Sequence, residues 1–394
     1  MSDSVEIAIK NICRTDLNKI SEALKSSGLS LVPGGGFFAL SPLTEAQYVV
    51  KIGNVKGGDG CLLASVNVPA CTVGNNVLIQ NRVWSACQFV VEMLRYQLTS
   101  IGVKSSIINK IKLQNVVVTA VTLTYLFRFE SHKEALRALS DLSLNGELLW
   151  NLSCNPKKEK PVYRVGGSEN FTAYFRSRMF KISAYVKSGP TPRSFSKFPD
   201  ANVEEIIYAE GEKILRVEIK CFAALLAKNN YSSPSAWKKV AGAKNPYRFG
   251  MELIREYFRL DERLRERLPK QRDIATLSAL DRDVLEWHFS GNDARQYPGL
   301  AGNPKKHSAL KGRILSALRI DLSIPWLMQK RIRGYLSDKL TFSNRYRVPD
   351  ALQDYSFCQK QVRALLRHLV KLTPVQESNR SLDNEELDFD IEFE

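Results

Sequence analysis

The chain has 394 residues, a formal net charge of +16 and 44% hydrophobic residues. That length and apolar content suffice for two or three domains whose cores need no disulfide or metal to hold them. The seven cysteines are widely spaced and form no CxxC pair, which argues against a disulfide framework and against a zinc ribbon. Neither an apolar run of transmembrane length nor a signal sequence is present, so a soluble cytoplasmic protein with reduced thiols is expected.

The basic charge lies outside the C-terminal segment. Between Glu377 and Glu394 eight acidic side chains stand against Arg380 alone, so the rest of the chain carries a net charge of about +23. Such a field attracts polyanions, which favours nucleic acid over a neutral metabolite as the partner. Ribosomal, membrane-surface and ordinary soluble proteins are also basic in many cases, so charge alone leaves the partner open.

The first third of the chain alternates strand and helix patterns. Alternating apolar residues predict strands at 5–9, 37–40, 48–52, 61–68 and 116–129. The last of these is the richest in β-branched residues, which favours a central strand. Helical spacing predicts helices at 16–24, 84–102 and 131–142.

Two further strand patterns follow a basic turn at 155–161. The segment 180–187 alternates and carries Tyr185, and the next strand places Arg216, Glu218 and Lys220 on one face. A proline-rich break at 189–193 separates the two. Residues 1–240 are therefore predicted to form an α+β domain with an antiparallel sheet.

From about Asn245 the composition changes to segments rich in Glu, Arg and Leu. Helices are predicted at 250–267, 273–288, 306–318, 325–336 and 356–372. They indicate an all-helical DNA-binding domain over 245–375, compatible with a helix-turn-helix. Residues 376–394 alternate acidic and apolar side chains and are predicted to be a disordered tail. This tail is a candidate to dock on a host replication protein, to cover the chain's own DNA surface, or to act only in solubility.

Tyr185 has a spacing that suggests nucleophilic chemistry. A phenol has a pKa near 10, so it needs a nearby cation or metal before it attacks a phosphodiester. Lys187 lies two residues further on and is expected on the same strand face as Tyr185. Attack by Tyr185 would leave a 5′-phosphotyrosine and a free 3′-hydroxyl. By spacing alone, Tyr185 better fits a half-buried strand aromatic, as most of the fourteen tyrosines do.

Several short segments resemble one known family in the same order along the chain. The tract from Thr172 to Lys187 resembles the segment that carries the nicking tyrosine in the replication initiators of filamentous phages, the gene II protein family. The matching positions are Thr172, Tyr174, Phe175, Ser177, Arg178, Lys181, Ala184, Tyr185 and Lys187. Further segments similar to this family lie at 67–77, 121–127, 215–218 and 304–321.

The resemblance covers residues 60–325 and implies rolling-circle DNA replication. It implies an endonuclease that nicks one strand of double-stranded replicative-form DNA at an origin and rejoins it to release a unit-length circle. Implied partners are the origin duplex, the single-stranded product and a host replication helicase or polymerase, in the cytoplasm of a bacterial host. With Tyr185 as nucleophile and Lys187 as its electrostatic activator, the expected DNA phosphate contacts are Arg178, Lys181, Arg216, Lys311 and Arg313.

The resemblance also implies a divalent metal, Mg²⁺ or Mn²⁺. This chain has Asn75 where the family usually has histidine and Thr122 where it usually has aspartate, so its site is poorer in ligands. The four histidines are scattered and form no His-x-His pair. Glu218 is the metal ligand expected here, because Mg²⁺ is often held by only one or two protein carboxylates. The competing interpretation of Glu218 is an ion-pair partner of Arg216 or Lys220 on an exposed strand face.

Three functions remain open on the sequence. The first is the origin nickase. The second is an origin-binding or regulatory protein without catalysis, which the substitutions at Asn75 and Thr122 permit. The third is an RNA-binding or recombination protein, for which the sequence holds no positive motif. Basic residues near 305–319 fit either a DNA-reading helix or a solvated amphipathic face.

Overall fold

The computed structural model describes residues 2–54, 60–80, 82–153, 162–166, 171–187, 201–238, 245–258, 260, 268–300, 302–329, 336–355 and 357–372. These residues form an α+β structure around one large antiparallel sheet. The prediction of an α+β class with an antiparallel sheet is therefore confirmed. The basic turn at 155–161, the proline-rich break at 189–193 and the acidic tail at 376–394 lie outside the described residues.

The strands are short at one end of the sheet and long at its centre. They are β1 (Ser2–Ile9), β2 (Leu31–Val32), β3 (Gly36–Leu40), β4 (Gln47–Asn54), β5 (Gly60–Asn67), β6 (Ile79–Gln80), β7 (Val116–Arg128), β8 (Val162–Gly166), β9 (Phe171–Arg176), β10 (Phe180–Val186), β11 (Ile214–Phe222) and β12 (Phe357–Cys358). Ten of the described strands make the main sheet in the order β2-β3-β4-β5-β1-β7-β11-β10-β9-β8. β6 and β12 form a separate parallel pair.

The helices pack on the sheet and extend beyond it. They are α1 (Arg14–Ser26), α2 (Val68–Val73), α3 (Val83–Ser100), α4 (Ser105–Ile108), α5 (His132–Ser153), α6 (Ala201–Gly211), α7 (Ala223–Lys228), α8 (Pro246–Tyr257), α9 (Gln271–Ala275), α10 (Ala279–Phe289), α11 (Pro304–Leu318), α12 (Trp326–Gln329), α13 (Leu336–Lys339) and α14 (Gln359–Leu372). None of the helices in the described part of the chain has the length and apolar character needed to cross a membrane.

β7 is the centre of the sheet, as its β-branched sequence predicts. It pairs with β1 on one side and with β11 on the other, and most of its side chains are buried. Strand alternation then gives the neighbouring strands two different faces. In β10, Ile182 and Ala184 are fully buried in the core, whereas Ser183 and Tyr185 are half-buried on the opposite face.

α8 covers the core face of the sheet. Its Tyr257 ring lies 4.5 Å from the Phe175 ring of β9, measured between centroids. The Tyr125 hydroxyl of β7 donates to the carbonyl oxygen of Tyr247 at 2.6 Å. The backbone approaches so closely here that a Cβ added at Gly250 would collide with the Tyr125 hydroxyl oxygen, which requires glycine.

The packing divides the chain differently from the predicted boundary at 245. α8, α13 and α14 contribute buried residues to the same core as the sheet. A second core lies within residues 274–326 and is formed mainly by α10, α11 and α12; we call this unit the helical cluster. The predicted helix at 273–288 is two helices: α9 ends at Ala275 with Thr276 as its C-cap, and Ser278 caps the start of α10 by accepting from the main-chain amide of Asp281.

Candidate functional site

Tyr185 lies on the half-buried face of β10, directly opposite Arg216 of β11. Its hydroxyl donates a hydrogen bond to Glu218 Oε1 at 2.8 Å. Directly paired residues on neighbouring strands point to the same face, and residues two apart on one strand do so as well. The alternation of β10 and β11 therefore brings the phenol and the Glu218 carboxylate together at the sheet centre.

Arg216 lies beneath this pair and is almost fully enclosed, with 1% of its side chain exposed. Its Nε donates to Glu218 Oε1 at 2.6 Å, and its Nη2 lies 3.0 Å from Asp3 Oδ2. Its Nη1 donates to the main-chain oxygen of Asn76. The predicted phosphate contact by Arg216 does not fit this placement, because a guanidinium that is buried and bound on three sides has no surface for DNA. We call Tyr185, Glu218, Arg216, Asp3, Lys187 and Asn76 the Tyr185 cluster.

The electrostatics of the cluster favour a neutral phenol. Burial raises the pKa of Tyr185 well above its ordinary value, while the charge of Arg216 acts in the opposite direction. Burial also raises the pKa of the Asp3 carboxyl, again against the effect of Arg216. The pKa of Arg216 itself is raised despite burial, because the acidic groups of Tyr185, Glu218 and Asp3 surround it. Ionisation of Tyr185 therefore needs a group that accepts its proton, and Glu218 is hydrogen-bonded to it.

Lys187 follows β10 and contacts a different part of the cluster. Its Nζ donates to the side-chain oxygen of Asn76. Burial lowers the pKa of Lys187 to about 8, so its amine is close to titration at neutral pH. The cation over the Tyr185 ring is Arg216, whose Cζ lies 5.8 Å from the ring centroid. The electrostatic role predicted for Lys187 at the phenol is therefore better fitted by Arg216.

The segment at 67–77 reaches the site through its last residues. Asn67 caps α2 by accepting from the Ala70 amide, and Gly74 ends the helix in a left-handed conformation with φ 76°. The loop that follows delivers both the side-chain and main-chain oxygens of Asn76 to the cluster. The neighbouring Asn75 is buried, and its side-chain oxygen accepts from the Val77 amide, so it supports the loop.

Thr122 is the other residue that departs from the family pattern, and it lies on β7. Its hydroxyl is hydrogen-bonded to that of Ser4 at 2.8 Å. Lys220, which pairs with Thr122 in the sheet, forms an ion pair with Glu6 of β1 at 2.6 Å. Glu218 is therefore paired with Arg216 and not with Lys220, and it is only partly exposed.

The predicted phosphate contacts near Tyr185 lie away from the phenol, Lys181 on the same face of β10 and Arg178 before that strand begins. Lys181 Nζ lies 4.2 Å from the centroid of the Tyr174 ring, and burial lowers the pKa of this lysine. Arg178 is exposed in the turn between β9 and β10. At about 3.3 Å per strand residue, Arg178 is roughly 20 Å from Tyr185 along the chain direction. Both remain predictions as DNA contacts.

Lys311 and Arg313 belong to the helical cluster and make ion pairs there. Arg313 donates to both oxygens of Asp281, at 2.6 and 3.0 Å. Lys311 Nζ lies 3.1 Å from Asp321 Oδ1. Asp281 and Asp321 are buried, so both basic residues stabilise the packing of α11 within the cluster. Their contact with DNA, and a helix-turn-helix arrangement of these helices, stay predictions.

Two carboxylates at this site, those of Glu218 and Asp3, are candidate ligands for the divalent cation that the family resemblance implies. The described residues contain no group of three or more His, Cys, Asp or Glu side chains arranged to hold a metal. Glu218 is, however, joined by Asp3, which sequence reasoning missed because it precedes the predicted strand at 5–9. Asp3 Oδ1 is buried and has no hydrogen-bond partner in the described part of the chain. An unsatisfied buried carboxylate oxygen fits a cation, so the residues present are compatible with Mg²⁺ or Mn²⁺.

Comparisons of the chain with protein-family models, with curated proteins and with solved structures gave no significant match.

Proposed function

We propose that this protein is a rolling-circle replication initiator that nicks one strand of double-stranded replicative-form DNA at its origin and later rejoins it. The observation that carries the proposal is the 2.8 Å hydrogen bond from the Tyr185 hydroxyl to Glu218, formed beside the buried guanidinium of Arg216. A nucleophile in contact with a base that a third group orients is the arrangement that covalent catalysis requires.

In the proposed cleavage step, Tyr185 Oη attacks the phosphorus of the scissile phosphodiester. The Oη–P bond forms and the bond from phosphorus to the 3′ oxygen breaks. The phenolic proton passes to Glu218, and the departing 3′ oxygen takes a proton from water. The products are a 5′-phosphotyrosine and a free 3′-hydroxyl, so one phosphodiester replaces another and rejoining is the reverse reaction.

Arg216 supports this step without touching the DNA. Its charge favours the phenolate that develops on Tyr185, and it is fixed in place by Asp3, Glu218 and Asn76. A fixed charge needs no reorganisation when the transition state forms, which is why pre-oriented groups are effective in catalysis. Asp3 is then a positioning residue for Arg216.

A divalent cation held by Glu218 and Asp3 would offset the negative charge of the phosphate. The strongly basic chain supplies a longer-range attraction for the DNA. Lys181 and Arg178 lie on or beside the strands that carry the nucleophile, and they fit contacts with the strand on either side of the cleavage site. The expected partners remain the origin duplex, the single-stranded product and a host helicase or polymerase in the bacterial cytoplasm.

A second candidate function is origin binding without cleavage. The observation that favours it is the environment of Tyr185, whose pKa burial raises well above its ordinary value. A phenol held neutral and enclosed is also what a structural tyrosine requires. In this alternative the chain binds the same DNA through its basic surface and regulates replication without forming a covalent product.

The two functions are separated by incubating the full chain with a supercoiled circle that carries its own coding DNA and flanking sequence. The nickase yields an open circle and a protein-linked 5′ end with Mg²⁺ or Mn²⁺ present. Tyr185→Phe should abolish both products while leaving DNA binding intact. Tyr174→Phe is the matched control, because Tyr174 is a half-buried tyrosine on the adjacent strand. Undiminished nicking by Tyr185→Phe, or binding without any nicking by the wild type, would overturn the proposal.

A further inference from the structure

We propose that Arg248, Arg345 and Arg347 form a binding site for the phosphodiester backbone of a nucleic acid, separate from the Tyr185 cluster. We call these three residues the arginine cluster. Arg248 lies on α8, whereas Arg345 and Arg347 follow α13, and Arg345 is 97 positions after Arg248 in the sequence. The site goes beyond the proposed function, because binding there requires no cleavage. Only the expectation that the nucleic acid is DNA rests on that function.

The Phe342 ring holds two of the guanidinium groups close together. The Cζ of Arg345 lies 3.6 Å from the centroid of this ring, and the Cζ of Arg248 lies 5.6 Å from it. The two Cζ atoms are therefore no further apart than the sum of these distances. Arg345 Nε also donates to the main-chain oxygen of Phe342 at 2.8 Å. Groups fixed in this way lose little further freedom when they bind a ligand.

The three arginines act on one another electrostatically. Burial lowers the pKa of Arg345, and the positive charges of Arg347 and Arg248 lower it further. The phenols of Tyr125 and Tyr247 act in the opposite direction. Burial raises the pKa of both phenols, so both are neutral at pH 7 and supply no negative charge. Packing of Arg345 on an aromatic ring does not explain why two further cations lie beside it.

No carboxylate in the described part of the chain forms an ion pair with the arginine cluster. Glu252, one helical turn after Arg248, lies near Tyr231, whose pKa is raised by burial and by the Glu252 charge. Other arginines do pair with carboxylates, at 2.5 to 2.7 Å: Arg128, Arg216, Arg295 and Arg313. Neighbouring guanidinium groups without a carboxylate are complementary to an anion such as phosphate.

The exposure of the arginine cluster indicates the kind of anion. Arg248 and Arg347 are exposed, and Arg345 is half-buried. A site for a small ligand encloses most of that ligand, whereas backbone phosphates are bound by basic side chains spread along a surface. The net charge of +16 adds a long-range attraction for a polyanion. The arginine cluster therefore fits the backbone of a nucleic acid better than a free phosphate.

The segment that carries two of these arginines is attached to the central strand of the sheet. The amide of Tyr346, which lies between Arg345 and Arg347, donates to the main-chain oxygen of Leu126 on β7 at 2.7 Å. Leu126 pairs directly with Arg216 of the Tyr185 cluster. A nucleic acid bound at the Tyr185 cluster therefore has a second set of phosphate contacts at the same end of the sheet.

The test is the salt dependence with which the full chain binds a short fluorescent single strand and its duplex, measured by fluorescence anisotropy without divalent cation. Arg248→Gln and Arg347→Gln should each reduce the slope of log affinity against log salt by about 1. Arg14→Gln is the matched control and should leave the slope unchanged. Arg14 is also an exposed arginine near the start of a helix, but α1 packs on β4 and β5 in the other half of the sheet.

Arg248 and Arg347 are exposed, so both variants should keep the urea midpoint of the wild type. Equal slopes in the wild type and both variants overturn the site. An equal reduction in Arg14→Gln also overturns it, because the effect would then follow net charge alone. Inorganic phosphate is a separate probe, followed by calorimetry. Phosphate binding that Arg347→Gln abolishes without any change in slope would assign the cluster to a free anion and overturn the proposal.

The nicking assay separates this inference from the proposed function. Reduced slopes in Arg248→Gln and Arg347→Gln, together with a wild type that does not nick, keep the arginine cluster and overturn the nickase. Nicking by the wild type with unchanged slopes in both variants keeps the nickase and overturns the arginine cluster.

Discussion

The Tyr185 cluster and the helical cluster both bury carboxylates next to arginine, but they complete the pairing differently. In the helical cluster, Arg313 donates to both oxygens of Asp281 and keeps 55% of its own side chain exposed. In the Tyr185 cluster, Arg216 is 1% exposed and is shared between Asp3 and Glu218. In the helical cluster both carboxylate oxygens of Asp281 accept a hydrogen bond, whereas in the Tyr185 cluster Asp3 Oδ1 has no partner in the described structure.

This difference separates a structural ion pair from a candidate reaction site. In a bidentate pair both carboxylate oxygens are already engaged by the guanidinium, which disfavours a further ligand and protonation. A cluster with one cation between two carboxylates retains acceptor atoms, and here one of them already contacts a phenol. If the two clusters differ in chemistry as they do in hydrogen bonding, substitutions in the two should have different effects.

The largest effect is expected for Glu218→Gln. The change keeps the size of the side chain but removes the base that accepts the Tyr185 proton. General base catalysis typically contributes 10²- to 10⁴-fold, so formation of the covalent adduct should slow by about 100-fold or more. The adduct is measured on a denaturing gel with end-labelled DNA.

DNA binding by Glu218→Gln, followed by a mobility shift without divalent cation, should stay within about twofold of the wild type, since the side chain itself is not a phosphate contact. An adduct that forms at the wild-type rate would show that Glu218 only orders the site. Loss of binding would instead show that the change disturbs the sheet face.

A large effect on stability is expected for Arg216→Met. Removal of the buried guanidinium leaves the buried Asp3 and the partly buried Glu218 as neighbouring carboxylates without their cation. Breaking a buried pair in this way costs about 3–5 kcal/mol in the free energy of unfolding. The measurement is urea unfolding of the full chain at neutral pH.

Arg313→Gln is the comparison, and its urea midpoint should move much less, because Arg313 is largely exposed. Equal losses in the two variants would contradict the distinction between the clusters. A partial recovery of Arg216→Met at low pH is also expected, since protonation neutralises Asp3, whose pKa is already raised by burial.

A smaller effect is expected for the dependence of stability on pH, and it arises from His288 in the helical cluster. Burial lowers the pKa of His288 below its ordinary value of 6.5, although Asp321 and Asp293 act in the opposite direction. The unfolded chain therefore takes up the proton first as the pH falls. The stability that neutral His288 contributes is complete above pH 6.5 and decreases as the pH falls below that value.

His288→Gln should flatten this dependence when urea midpoints are compared between about pH 5 and 8. His368→Gln is the control, because His368 is exposed on α14. An unchanged pH dependence in His288→Gln would assign the acid sensitivity to other groups.

The sequence predicts the strands that carry this site better than the contacts among its side chains. The β-branched run of β7 and the alternation of β10 and β11 are local patterns, and they correctly place Arg216 and Glu218 on one strand face. That Tyr185 shares this face follows from the pairing of β10 with β11, which the sequence does not predict. The burial of Arg216 is not local, because it depends on Asn76 and Asp3, which lie 140 and 213 positions away in the sequence. From the strand pattern alone, a charged residue such as Arg216 is therefore predicted to be exposed, although the structure buries it.

The extent of the sheet core was missed for a similar reason. The composition change at 245 suggests a new domain, yet α8 packs on β7 through Tyr125 and Tyr247, which are 122 positions apart. Helical periodicity shows that a segment has an apolar face, but it does not show which surface that face covers. Asp3 escaped prediction because a bulge in β1 between Ser2 and Ser4, which has no sequence signal here, directs its side chain.

The smallest effects are expected on DNA affinity when the two basic residues of α11 are replaced. These substitutions test whether α11 contacts DNA. Arg313 keeps 55% of its side chain exposed while it holds Asp281, so its outer surface is able to reach a phosphate. Lys311 is 27% exposed, and its amine is bound to the buried Asp321. If α11 contacts DNA, Arg313→Gln should reduce the slope of log affinity against log salt by about 1, whereas Lys311→Gln should leave the slope unchanged. Equal slopes in both variants and the wild type would remove α11 from the DNA interface and leave recognition to the sheet face and the arginine cluster, because a phosphate contact necessarily contributes to counterion release.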